Sequence, residues 1–112
     1  MAKYLISFPS GVMDVRPEEM AAVGDEARAV ILAAKAAGVY VFGGGIDEDV
    51  PPVMVAADGR VTEGTYPGNR LDGGFTVLDL PDREAAIDWA RRIATACRCA
   101  QELRVFMFDP VS

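Results

Sequence analysis

Apolar and polar positions follow two different rhythms along this chain. Tyr4 to Phe8 is a short apolar run halted by Pro9-Ser10-Gly11, which predicts a strand and a turn. Pro17-Glu18-Glu19 has the make-up of a helix start, since proline suits the first turn and both carboxylates meet the positive end of the helix dipole. Met20, Val23, Ala27, Val30, Ile31 and Ala34 then recur at helical spacing, and Gly38 is placed to end that helix in the left-handed conformation. Val39 to Phe42 predicts a second strand that runs out into Gly43-Gly44-Gly45. After the acidic loop Asp47-Glu48-Asp49 and Pro51-Pro52, the runs Val53 to Ala57 and Arg60 to Thr65 flank Asp58-Gly59, a pair favoured in tight hairpin turns. Phe75 to Leu80 predicts the next strand. Asp82 is the expected N-cap of a second helix, with Glu84 in its first turn and a stripe of Ala86, Ile87, Ala90, Ile93, Ala94 and Cys97. Leu103 to Phe108 is the last predicted strand.

This order predicts an α+β fold of ferredoxin-like type, β-α-β, hairpin, β-α-β, with two helices on one face of an antiparallel sheet. Residues 1–112 suit one domain. In the last strand Leu103, Val105 and Met107 alternate with Arg104, Phe106 and Phe108; in the first, Tyr4, Ile6 and Phe8 oppose Leu5. In the strand before the second helix, Phe75 and Val77 oppose Thr76, Leu78 and Leu80. Two helices cover only one of these largely apolar faces, so the other is expected to meet a second copy, giving a homodimer through the open sheet face.

Composition narrows the partners. A net charge of −6, with scattered Lys and Arg, excludes the concentrated basic field that nucleic acid requires. No apolar run reaches the length of a membrane span, and the first residues lack the features of a signal peptide, so a cytoplasmic protein is expected. Cys97 and Cys99 stand too close for an unstrained disulfide and are two ligands short of a zinc site, so reduced thiols and no metal are expected. Asp88 and Arg92 are spaced for a solvated ion pair, and Trp89 for packing at the helix flank.

Several stretches resemble the YCII-related superfamily, most closely its DGPF-domain branch. They are Lys3-Tyr4-Leu5-Ile6, Ala36-Ala37-Gly38-Val39, Asp58 through Tyr66, Gly73-Gly74-Phe75, and Ala85-Ala86-Ile87-Asp88-Trp89-Ala90. The likeness spans nearly the whole chain. It implies a ferredoxin-like protomer that pairs into a dimeric α/β barrel, with clefts between sheet and loops for small molecules. The branch's Asp-Gly-Pro-Phe signature stands here as Glu63-Gly64-Thr65-Tyr66, which keeps the carboxylate and the aromatic ring but not the proline. A His–Asp pair proposed as catalytic in some members has no counterpart, because the chain contains no histidine.

The lack of histidine also removes imidazole-based nucleophile systems and metal sites. Glu63 and Tyr66 are the candidate catalytic acid–base pair. Asn69 and Arg70, in the same loop, are the candidates for orienting a small polar ligand. Gly43, Gly44 and Gly74 are candidate ligand-facing backbone positions, set against the plainer reading of a strand end or bulge. The favoured expectation is a homodimeric small-molecule-binding domain without a cofactor. The alternatives are a cofactor-free lyase, isomerase or oxygenase using Glu63 or Tyr66, and a protein-interaction module.

Overall fold

The computed structural model describes residues 1–112. The chain runs β1 (Ala2–Phe8), a 3-10 turn (Pro17–Glu19), α1 (Met20–Ala36), β2 (Tyr40–Gly45), β3 (Val53–Val55) and β4 (Val61–Glu63), followed by β5 (Gly74–Leu80), α2 (Arg83–Cys97) and β6 (Glu102–Val105). Four strands form one sheet in the order β2-β5-β1-β6, and β3 and β4 form a separate two-stranded sheet. Every neighbouring pair is antiparallel. The fold is α+β, as the pattern of elements predicts.

Both helices lie on one face of the large sheet. Tyr4 and Ile6 of β1 and Leu78 and Leu80 of β5 meet Ala34 of α1 and Ala86, Ala90, Ile93 and Cys97 of α2 in one buried cluster. The alanines let the helix backbones approach the strands, and Ile6 and Leu78 are fully buried. The predicted stripe of α2 needs one change, because Ile87 is half exposed and Ala96 takes a buried place instead.

Local signals decide the helix ends. The Asp82 carboxylate accepts a hydrogen bond from the Ala85 N–H at 2.8 Å and caps α2. Gly38 follows α1 with φ +75°. No glycine ends α2; Arg98 adopts the left-handed conformation there, with φ 59°. Its guanidinium offsets that strain by donating to the Thr95 and Ala96 carbonyls and pairing with Glu26 of α1 at 2.5 Å. The surface pair of α2 also differs from expectation. Asp88 is held by Arg91 at 2.8 Å, and Arg92 lies over the Trp89 ring, 4.0 Å from its centroid. The flat indole face competes successfully for the guanidinium.

The uncovered sheet face is less uniformly apolar than the sequence suggests. β6 stops at Val105, and Phe106 and Phe108 lie beyond it, although the Phe106 N–H still donates to the Lys3 carbonyl at 2.9 Å. Lys3 is in register with Asp79, and Arg104 pairs with Glu102, so charges border the apolar Leu5, Phe75 and Val77 of the inner strands, with Phe42 beside them on the edge strand β2. Phe42 is 64% exposed there. No helix is long and apolar enough to cross a membrane.

Between β2 and β5 the chain leaves this body as an arm. β3 and β4 pack chiefly on one another. Their loop is wider than a two-residue turn: the Ala56 N–H donates to the Arg60 carbonyl, the Gly59 N–H donates to the Ala56 carbonyl, and Gly59 has φ +88°. That is a three-residue loop with glycine in the left-handed position.

Candidate functional site

Three recesses follow one another at the end of the sheet where β2 and β5 carry glycines. The innermost is an apolar cavity of about 270 Å³ between α1, α2 and the sheet, walled by Phe8, Val30, Ile31, Ile93 and Cys97 and floored by the Gly44, Gly45 and Gly74 backbone. It shares Phe8, Gly45 and Gly74 with a second recess of about 250 Å³, to which Ser10, Glu48 and Gly73 contribute. That recess shares Ile46 and Glu48 with an outer depression of about 730 Å³ at the base of the arm, lined also by Pro52, Thr65, Asn69 and Asp72. An apolar interior thus continues into a mouth of mixed lining, where Ser10, Glu48, Asn69 and Asp72 stand among Ile46, Val50 and Leu71.

The glycines make the inner cavity for different reasons. Gly45 and Gly74 face each other across the β2–β5 ladder. A side chain on Gly74 would strike the Phe8 ring, whose nearest atom would lie 2.6 Å away, so this glycine is needed for packing. At Gly45 no atom lies within 4 Å of the side-chain direction, which leaves the space open. A side chain on Gly43 would sit 3.1 Å from the Tyr40 hydroxyl, and one on Gly44 would meet the Phe42 ring at 3.7 Å. Of the three glycine candidates, Gly44 and Gly74 border the cavity, while Gly43 does not line it and its side-chain direction meets Tyr40.

The mouth is braced by four residues from three separate segments. The Ser10 N–H donates to Asp72 Oδ1 at 3.0 Å, and the Ser10 hydroxyl donates to Glu48. Arg70 donates to the Ser10 carbonyl at 2.7 Å and to Asp72 Oδ2 at 3.3 Å. The Ser10 N–H, with the Arg70 charge assisting, holds the Asp72 carboxyl below its ordinary value of 3.8 against an opposing effect of burial. On the inner wall, burial pushes the Cys97 thiol above its ordinary 9.0; the Cys99 charge adds to this and Arg98 opposes it. The wall is therefore neutral at physiological pH.

The sequence candidates fall in different places. Asn69 lines the outer depression, and Arg70 is committed to the brace. Glu63 ends β4, Tyr66 is 71% exposed, and neither lines any of these three recesses. Their proximity in sequence is not matched by convergence on one cleft. Ser10, Glu48 and Asp72 were not anticipated as a group, since the pairings span 38 to 62 positions. No group of three or more Cys, Asp or Glu side chains is arranged to hold a metal.

No protein-family model matches the chain, and no curated protein is significantly similar to it. The site can enclose an apolar group and offer hydroxyl, carboxylate and amide groups to whatever projects from the mouth.

Proposed function

We propose that the protein is a homodimeric small-molecule-binding domain of the YCII-related, DGPF-like kind, with a ferredoxin-like protomer. The observation that carries the ligand-binding reading is the apolar cavity opening into a recess that holds Ser10 and Glu48. A dry cavity of roughly 150 Å³ accommodates benzene, so about 270 Å³ suits a two-ring or short branched aliphatic group. One polar end of the ligand would remain near Ser10 and Glu48. The strand order β2-β5-β1-β6, which interleaves two β-α-β halves, supports the ferredoxin-like reading. The resemblance at Asp58 through Tyr66 supports the family.

Area supports the dimer. A compact monomer of 12.0 kDa exposes about 6,000 Å². This protomer exposes 7863 Å². Its radius of gyration is 15.6 Å, where about 13 Å is typical of this length. Excess surface on this scale calls for a partner, and an open sheet face that carries Leu5, Phe75 and Val77 on its inner strands and exposed Phe42 on its edge strand is suited to a two-fold contact. Binding is favoured over catalysis because the carboxylate and phenol of Glu63 and Tyr66 stand apart from the cavity.

Native mass spectrometry of freshly purified protein, combined with titration of the neutral probe N-phenyl-1-naphthylamine, tests both parts. The expected mass is twice that of the chain, and probe binding is expected to disappear in Gly45→Val. That variant places a β-branched side chain in the open space of a strand and leaves the fold intact. Undiminished binding by folded Gly45→Val overturns the cavity assignment. A monomer at micromolar concentration overturns the dimer.

A further inference from the structure

We infer that the arm formed by residues 47–72 closes over a second copy of this chain, with the valines of its hairpin packed against the partner protomer's uncovered sheet face. This rests on the homodimer reading and adds to it the element that completes the interface.

The hairpin cannot account for its own stability. Two strands of three residues each are marginal in water unless a further surface covers them. Val53 and Val55 of β3 and Val61 of β4 lie on one face of the hairpin, through the Val53–Glu63 and Val55–Val61 pairings, and all three are more than half exposed. Ile46, Val50 and Leu71 extend the exposed apolar surface to the arm's base. An apolar, β-branched face on an unsupported hairpin is a contact surface waiting for a complement.

The arm's own body does not provide that complement. The base is fixed by the Ser10–Glu48 and Ser10–Asp72 hydrogen bonds and by the Ile46 N–H, which donates to the Gly73 carbonyl at 2.9 Å. From that clamp β3 and β4 run clear of the helices and the large sheet, and the molecule spreads over 43 × 43 Å but only 21 Å in depth. The arm is anchored and directed outward.

A second copy fits on area and on complementarity. The excess of about 1,900 Å² per protomer puts a pair near 3,800 Å², within the range of obligate homodimers and above that of transient contacts. The same chain carries both halves of the contact, the valine face of the arm and the sheet face around Phe42 and Val77. A two-fold axis then satisfies each twice.

Sedimentation across a concentration series, together with amide hydrogen exchange, tests this. Val55→Thr/Val61→Thr keeps side-chain shape and strand propensity while placing hydroxyls in the contact. It is expected to weaken dimerisation about tenfold or more. In the wild type, the Ala56 and Gly64 amides, which donate to Arg60 and Pro52, are expected to exchange slowly in the dimer and fast on dilution. A wild-type monomer overturns the homodimer reading and this inference together. A wild-type dimer unaffected by the double substitution overturns the arm's role alone. Arm protection that does not depend on concentration also overturns it, because the arm would then be covered within its own protomer. If the variant fails to fold, the wild-type exchange series decides the question by itself.

Discussion

Leu78 and Val55 are both apolar strand residues, yet the first is fully buried and the second is 68% exposed. Leu78 sits in β5 between two neighbouring strands and beneath the helices, and its neighbours leave it no contact with water. Val55 sits in a strand with one partner and nothing beyond it. Strand propensity is thus satisfied in both places, but burial in only one. The body packs its strands and helices within one chain, whereas the arm has secondary structure with little packing beyond its own two strands. In the proposed dimer, a second copy covers this segment.

The strongest way to break that contrast is truncation in the body. Leu78→Ala removes a fully buried side chain and is expected to cost about 2–5 kcal/mol, lowering the chemical-denaturation midpoint at every protein concentration. The arm substitutions Val55→Thr/Val61→Thr should lower it only at concentrations where the wild type is dimeric, because their contribution depends on mass action. A concentration-independent loss in the arm variant would mean that the two regions do not differ in kind.

A smaller effect separates the two helices of the body. The Asp82 side chain caps α2, whereas α1 is preceded by a 3-10 turn and has no side-chain cap at Glu19. Asp82→Ala is expected to destabilise by about 1 kcal/mol, read by thermal or urea unfolding. Glu19→Ala should cost less, since it removes only the surface pairing with Arg16 at 2.7 Å. Equal losses would show that the Asp82 hydrogen bond adds nothing in solution.

What the sequence discloses follows the range of the interaction. The Asp82 cap, the Gly38 stop and the position of the hairpin tip at Asp58-Gly59 depend on neighbours within a few positions, so the sequence exposes them, although the tip is a three-residue loop and not the two-residue turn expected. The helix stripes are readable because burial follows a fixed period, although Ile87 falls on the exposed side of α2 and Ala96 on the buried side. Asp88 has basic residues at both i+3 and i+4, and only the position of the Trp89 ring determines which one it holds. The brace at the mouth was not legible. Ser10, Glu48, Arg70 and Asp72 meet only because the sheet order brings the ends of β1, β2 and β5 together. Glu63 and Tyr66 were singled out by their likeness to a motif, and a motif does not encode which way an arm points.

The same brace joins body to arm, and acid should loosen it first. Asp72 has a lowered folded-state pKa because the Ser10 N–H and the Arg70 guanidinium favour its charged form. A depressed carboxylate stabilises the folded state at pH values above its unfolded pKa, here the ordinary 3.8, and loses that contribution as pH falls through the folded value. The wild type should therefore lose stability more steeply than Asp72→Asn from about pH 4 downward, and the two should differ most at neutral pH. The effect is small because the carboxylate is solvent-accessible, so the informative readout is local. Hydrogen exchange at the Ser10 amide, which donates to Asp72, should quicken on acidification before the β1–β5 ladder amides respond. If Ser10 and the ladder open together, the arm's base is part of the body's cooperative unit. The boundary between the two regions then lies farther out, between the clamp and the hairpin.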